Sequence, residues 1–178
     1  VSEEVAREQL ATLTVAPEGP MDGYSRELFP HWISWGDRCN TRELVLIRDG
    51  SDVEVDQECR AVTGTWWSVY DDVEVSPASG VDIDHMVPLA AAWRSGADEW
   101  DTARRRQFAN DLEAPQLFAV SARSNRSKGD QTPADWVPPA TGYHCTYAVH
   151  WTEVKTRYDL TITDDEQAAL SGMLDTCP

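Results

Sequence analysis

Asp84 and His85 stand side by side at the end of the run VDIDH, and some forty residues on the chain carries Asn125-Arg126-Ser127-Lys128-Gly129-Asp130. Together the two stretches hold the only concentrated set of a carboxylate, an imidazole, an amide and cations. A hard divalent cation takes oxygen ligands, so Asp84 offers a charged oxygen and Asn125 a neutral one, leaving positions open for water and phosphate. A neutral imidazole at His85 can act as a general base. Arg123, Arg126 and Lys128 place positive charge where an anionic substrate would need it. Taken singly, Asp84 reads as well as a turn cap, His85 as a satisfied core histidine and Asn125 as a helix end. Their joint occurrence with Ser127-Lys128-Gly129-Asp130 favours a site.

The elements that must position these groups can be read from pattern. Ile83 to Val87 is a strand that Pro88 ends, Gln116 to Val120 is a second strand, and Ser121 caps a short helix, Ala122 to Lys128, that delivers Asn125 and stops at Gly129. In a regular strand neighbouring side chains point to opposite faces, which would separate Asp84 from His85. Either the chain bulges there, or the two residues diverge to flank a bound phosphate from two sides. Between the strands lie helical segments at Leu89 to Arg94 and roughly Asp98 to Asp111, the second with Trp100, Arg104 and Phe108 at spacings of four. Asn110 reads as its C-terminal cap.

Before this region, Ser2 to Leu13 is a short amphipathic helix and Thr41 to Arg48 a helix capped by Asn40 or Thr41. Short strands around Val53-Val55, Ala61 to Trp67 and Val73-Val75 predict an antiparallel sheet leading into the Asp84-His85 strand. Trp66 and Trp67 are adjacent, an arrangement that usually buries one ring. Arg26 and Arg42 are candidate phosphate contacts, against the commoner role of surface or ion-paired arginines. After it, Tyr147, Ala148, Trp151, Val154 and Tyr158 form a helical stripe, and Thr163 to Glu166 is a capping box for a last helix. His144 and His150 are expected to be exposed or hydrogen-bonded rather than ligands.

At 178 residues the chain is long enough for one α+β domain, a small antiparallel sheet with surrounding helices, and short for two. No apolar run is long enough to span a membrane, and Val1-Ser2-Glu3-Glu4 lacks the basic start and apolar stretch of a signal peptide. Cys39, Cys59, Cys145 and Cys177 form no CxxC pair, which argues against thiolate zinc and for two disulfides. Three pairings are possible; the local ones, Cys39 with Cys59 and Cys145 with Cys177, are expected, and with them an oxidising compartment and secretion. The net charge of −16 is unfavourable for a polyanionic partner, except where Arg104-Arg105-Arg106, Arg123, Arg126 and Lys128 flank the central stretch.

DIDHMVPL followed by QLFAVSARSNRSKGD resembles the ββα-metal (HNH) endonuclease motif, in the DH…N form found in secreted bacterial nucleases. GYSRELFPHW, CNTR and the cysteines extend the likeness to most of the chain. The resemblance implies an embedded ββα-metal motif within residues 81–131, with Asp84 as metal-binding acid, His85 as general base and Asn125 as second metal ligand. Nine residues before Asn125, where many relatives carry an asparagine that braces the histidine loop, stands Gln116. The insertion from Leu89 to Pro115 is longer than usual in the family and would shape substrate access.

The resemblance implies a secreted monomer that uses magnesium, or manganese, to hydrolyse DNA, with RNA as a second candidate substrate, to 5′-phosphate products with little sequence preference. Activity is expected to fall as His85 protonates below about 6.5. A different class of function, a secreted module binding carbohydrate or cell wall through its eight tryptophans, would show no chelator-sensitive cleavage. An acidic hydrolase with paired carboxylates is a third, but no pair of acids stands out.

Overall fold

The computed structural model describes all residues, Val1–Pro178. Ser2 caps helix α1 (Glu3–Thr12), its side chain accepting from Val5 N–H. Asn40 and Glu43 form a reciprocal capping box that starts α2 (Thr41–Asp49). A meander follows, β1 (Gly50–Val55), β2 (Ala61–Ser68) and β3 (Val73–Val75), antiparallel in the order β1-β2-β3. Then come β4 (Val81–His85), α3 (Leu89–Arg94), α4 (Thr102–Ala109), β5 (Leu117–Ser121), α5 (Ala122–Lys128), α6 (His144–Arg157) and α7 (Asp164–Leu174). The architecture is α+β, and no helix is long and apolar enough to cross a membrane.

The expected single sheet is two sheets. β4 pairs only with β5, antiparallel from Val81↔Ser121 to His85↔Leu117. The meander meets this ribbon through a side chain instead of a ladder: Ser121 N–H donates to the buried Ser68 Oγ. The helix expected from Asp98 begins later, because the Asp101 side chain accepts from Arg104 N–H and caps it there, leaving Ala97–Glu99 as a 3₁₀ turn. It ends at Asn110 as expected, but that side chain does more than cap. Its Oδ1 accepts from Thr41 Oγ1 and Ile33 N–H, and its Nδ2 donates to the carbonyls of Pro30 and Arg106, so it clamps the 30–41 loop onto α4.

Two apolar clusters flank β4. Val81 and Ile83 join Val45, Leu46, Trp66, Leu117 and Ala119 on one face. Beyond the strand, Met86 and Val87 enter the larger cluster with Phe108, Tyr147, Trp151 and Leu170. Alternation therefore leaves Asp82 and Asp84 on the face opposite Val81 and Ile83. Cys39–Cys59 and Cys145–Cys177 are disulfides, as the local pairing predicts. The first ties the loop before α2 to the β1–β2 turn, and the second ties the start of α6 to the C-terminal residues. On the chain-entropy model each contributes roughly 3 to 4 kcal/mol.

Candidate active site

Strand β4, strand β5 and helix α5 follow one another in space, and two polar rungs join the helix to β4. Asn125 Nδ2 donates to Asp82 Oδ2 at 3.0 Å, and Lys128 Nζ donates to Asp84 Oδ2 at 2.6 Å. A helix rises about 4.5 Å over three residues and a strand about 6.6 Å over two, so one helix face can meet two alternate strand residues. Asp82 thus belongs to the arrangement, although no metal or base motif points to it; its signal in the sequence is the period-two relation to Asp84.

Asp84 is buried, and its Oδ2 accepts from both the Tyr70 hydroxyl and Lys128. Burial raises the Asp84 carboxyl and lowers the Lys128 ammonium, each opposed by the charge of the other. Burial also holds the Tyr70 phenol well above its ordinary value, so it remains an O–H donor. The two donors on Oδ2 favour the carboxylate and so oppose the rise that burial imposes. Its Oδ1 makes no hydrogen bond and is not sealed in the core, so it is the oxygen left for a ligand.

Lys128 cannot serve as a phosphate contact. Its side chain has no exposed surface, and its three N–H bonds go to Asp84 Oδ2, the carbonyl of His85 at 3.0 Å and that of Met86 at 2.7 Å. The rings of Tyr70, Tyr147 and Trp151 surround it. The last turn of α5 aims it inward, where it neutralises Asp84.

His85 points the other way, as alternation requires. Its ring stacks on Trp32 with an interplanar angle of 6° and centroids 5.3 Å apart. Nε2 lies 3.0 Å from the Ala109 carbonyl oxygen. A carbonyl only accepts, so Nε2 carries the proton and Nδ1 holds the lone pair. Burial lowers the His85 pKa to about 3, which keeps the ring neutral at ordinary pH. Trp32 adopts φ 53°, a left-handed conformation uncommon for a bulky residue, and thereby turns its indole under the imidazole. Behind His85, Gln116 is fully buried and braces the chain: Oε1 accepts from Val87 N–H at 3.1 Å and Nε2 donates to the Val87 carbonyl at 3.0 Å.

Asp84 and His85 diverge, yet both reach one cavity of about 270 Å³ around the end of β4, and Asn125, Arg126 and Arg26 line it with them. Arg26 is exposed there, its Nε donating to His31 Nε2 at 3.2 Å. The Arg126 side chain is 74% exposed, with Nε 3.4 Å from Asp82 Oδ2. Arg42, on the first turn of α2, and the exposed Arg123 do not line the cavity. Two of the three consecutive arginines are also spent elsewhere: Arg104 packs over Trp100 and donates to the Tyr158 carbonyl, and Arg105 is buried with donors on the carbonyls of Ala97 and Asp98. His144 and His150 are engaged with the Pro138 carbonyl and the Tyr143 hydroxyl.

No three His, Cys, Asp or Glu side chains cluster as a metal cage. The oxygen-bearing side chains that line the cavity are Asp84, Asn125 and, with Oδ2 taken by Arg94, Asp130. Asn125 spends Nδ2 on Asp82, which leaves its Oδ1 without a partner. An all-oxygen, incomplete donor set fits a hard divalent ion that keeps water and substrate oxygens, and does not fit zinc held by thiolate or imidazole.

The α+β chain thus brings His85, Asp84 and Asn125 to the lining of one cavity. A family model described as GmrSD restriction endonucleases, C-terminal domain, matches residues 47–173, and the chain belongs to that nuclease-type family. The match runs from the end of α2 into α7 and so contains Asp84, His85 and Asn125. A relative from Arthroderma benhamiae, named an uncharacterized secreted protein, is 53% identical over 176 residues, spanning 99% of this chain and 86% of that protein. No solved structure matches. With the two disulfides, the relationship to a secreted protein places the chain outside the cell.

Proposed function

We propose that the chain, as a single domain, is an extracellular metal-dependent endonuclease of the ββα-metal (HNH) type that hydrolyses DNA to 5′-phosphate products. The observation that supports this most is the convergence of His85, Asp84 and Asn125 from β4 and α5 on one cavity, in a family of restriction endonuclease domains.

Asp84 Oδ1 and Asn125 Oδ1 would hold the ion, with magnesium or manganese matching the oxygen donors. Such an ion supplies positive charge against the charge that develops on the phosphate and the departing 3′-oxygen. His85 Nδ1 takes a proton from water as the water oxygen bonds to phosphorus and the bond from phosphorus to O3′ breaks. Nε2 stays on the Ala109 carbonyl and carries the growing charge. Trp32 keeps the imidazole plane fixed, and Arg26 and Arg126 at the rim bind flanking phosphates, which gives little sequence preference. RNA offers the same phosphodiester and is a second candidate substrate, and the working unit is the monomer.

Supercoiled plasmid incubated with purified protein tests this. Magnesium or manganese should support conversion to nicked, linear and then fragmented DNA, and a chelator should stop it. Cleavage that persists in excess chelator would remove the metal from the proposal.

Asp82 is a positioning residue in this scheme, since its acceptor on Asn125 Nδ2 fixes which amide atom faces the ion. Asp82→Ala should weaken manganese binding, followed by calorimetry on the protein alone, by roughly ten- to a hundredfold. Asp82→Asn retains an acceptor and should recover part of the loss. Unchanged manganese affinity in Asp82→Ala would show that Asn125 needs no such partner.

A tryptophan platform for carbohydrate has less support. Of the eight tryptophans, Trp66, Trp93 and Trp151 are buried, and only Trp35 and Trp67 are more than half exposed, at 51% and 56%.

A further inference from the structure

We propose that Trp35 and Arg106 form a subsite for an unpaired nucleotide, the base stacking on the indole and its phosphate meeting the guanidinium. Three of the fifteen lysines and arginines, Arg42, Arg106 and Arg123, have side chains with no hydrogen bond or ion pair; the others are engaged by carboxylates, carbonyls or the His31 ring. Arg106 is the one of these that lines a large cavity, a groove of about 620 Å³ between α4 and the 33–35 segment. Trp35 lines the same groove with half its surface exposed.

The indole is held ready. Its Nε1–H donates to Thr41 Oγ1 at 2.8 Å, and its loop is closed by the Ser34↔Asn40 bridge, the bond from Trp35 N–H to the Cys39 carbonyl, and the Cys39–Cys59 disulfide. An aromatic face fixed by its edge and left open is a surface on which any base can stack, and an adjacent free guanidinium supplies the phosphate contact. Among the acids of the groove, Asp111 is spent: Oδ1 accepts from the N–H groups of Glu113 and Ala114, and Oδ2 from the Tyr158 hydroxyl. The exposed Glu113 remains on the rim, and Arg157 lies opposite it in charge, 3.9 Å from Glu153.

The groove and the candidate active site share a wall. Trp35 reaches Asn110 through Thr41, and the preceding residue, Ala109, gives the carbonyl that orients His85. On the same loop Trp32 stacks on His85. A strand whose phosphate lies at His85 therefore passes a stacking platform beside it. A base paired in a duplex has no free face to offer, so the subsite selects single-stranded nucleic acid, or duplex opened at the cut. The identity of the polymer rests on the nuclease proposed above.

Binding of a fluorescent oligothymidylate and of a duplex of equal length, followed by anisotropy at low salt in the presence of chelator, tests this without turnover. Trp35→Ala should weaken single-strand binding about ten- to a hundredfold, Trp35→Phe much less, and Arg106→Ala severalfold. Duplex binding should move by less than twofold, as should both ligands with Arg60→Ala, which removes an equal charge at an ion pair elsewhere. Single-strand binding by Trp35→Ala and Arg106→Ala within twofold of the parent would overturn the subsite, as would equal losses on both ligands. If Trp35→Ala does not fold, Trp35→Phe against Arg106→Ala carries the same comparison. A parent that binds single strands through Trp35 but cleaves nothing would keep the subsite and end the nuclease proposal; the reverse pattern would do the opposite.

Discussion

His85→Ala should abolish cleavage to the extent that general-base catalysis contributes, a fall of about 10² to 10⁴ in turnover, while manganese binding persists because Asp84 and Asn125 are untouched. The ring has no second role in holding the ion: Nε2 is committed to Ala109 and Nδ1 is its one free atom. The same burial changes the expected pH profile. From sequence alone an acid limb belongs near 6.5, but burial brings the His85 pKa to about 3, so protonation of His85 should not reduce activity between pH 8 and 5. The linkage to stability has a definite sign. The folded pKa lies below the unfolded one, so the contribution is complete above about 6.5 and is lost as pH falls from there toward 3, where the unfolded chain takes up the proton first. Plasmid cleavage across this range, beside circular dichroism of both proteins, makes the check. An acid limb centred near 6.5 that disappears with the residual activity of His85→Ala would show a ring more exposed to solvent than this. Undiminished cleavage by His85→Ala would move the base elsewhere.

Lys128→Met should be the most destabilising single change near the cavity. It removes the counter-charge of Asp84 at 2.6 Å and leaves a buried carboxylate with Tyr70 as its donor, and breaking one side of such a pair costs about 3 to 5 kcal/mol. The carbonyls of His85 and Met86 lose their donor as well. Activity should fall with stability, because a carboxyl that escapes the penalty by protonating is a poor ligand for a cation. Urea unfolding of Lys128→Met, Asp84→Asn and the double variant separates the effects. The double variant should be more stable than Lys128→Met alone, since the unpaired charge has gone, while remaining inactive. A loss below about 1 kcal/mol in Lys128→Met would mean that the pair does not hold this end of α5 in place.

What was legible in the sequence follows from how local each signal is. Asn40 with Glu43, and Thr163 with Glu166, cap helices within a single turn, and both boxes form. Alternation in VDIDH sends Asp84 and His85 to opposite faces, and they do diverge; Ser121 and Gly129 bound α5 because cap and stop act on neighbouring backbone. Likeness marks position 116 as the place of a bracing asparagine and leaves that role open for the glutamine found there; the two bonds of Gln116 to Val87 appear only in the fold. The signs of charge were legible too, but not their use. Lys128 and Arg126 are two residues apart in an equally basic run, and the helical rotation between them buries one against Asp84 and leaves the other in solvent.

The sequence by itself determined the α+β class, the cysteine pairing that short loops favour, and the candidate trio Asp84, His85 and Asn125, because propensity, capping and loop closure act over few residues. Tertiary structure alone decided that β4 leaves the meander to pair with β5, that Asp82 and Lys128 take the two rungs to α5, and that Trp32 and the Ala109 carbonyl set the face and tautomer of His85. Those partners come from segments far apart in the chain, and burial, which moves the imidazole far below its ordinary pKa and turns a basic side chain into a core cation, exists only once the segments have packed.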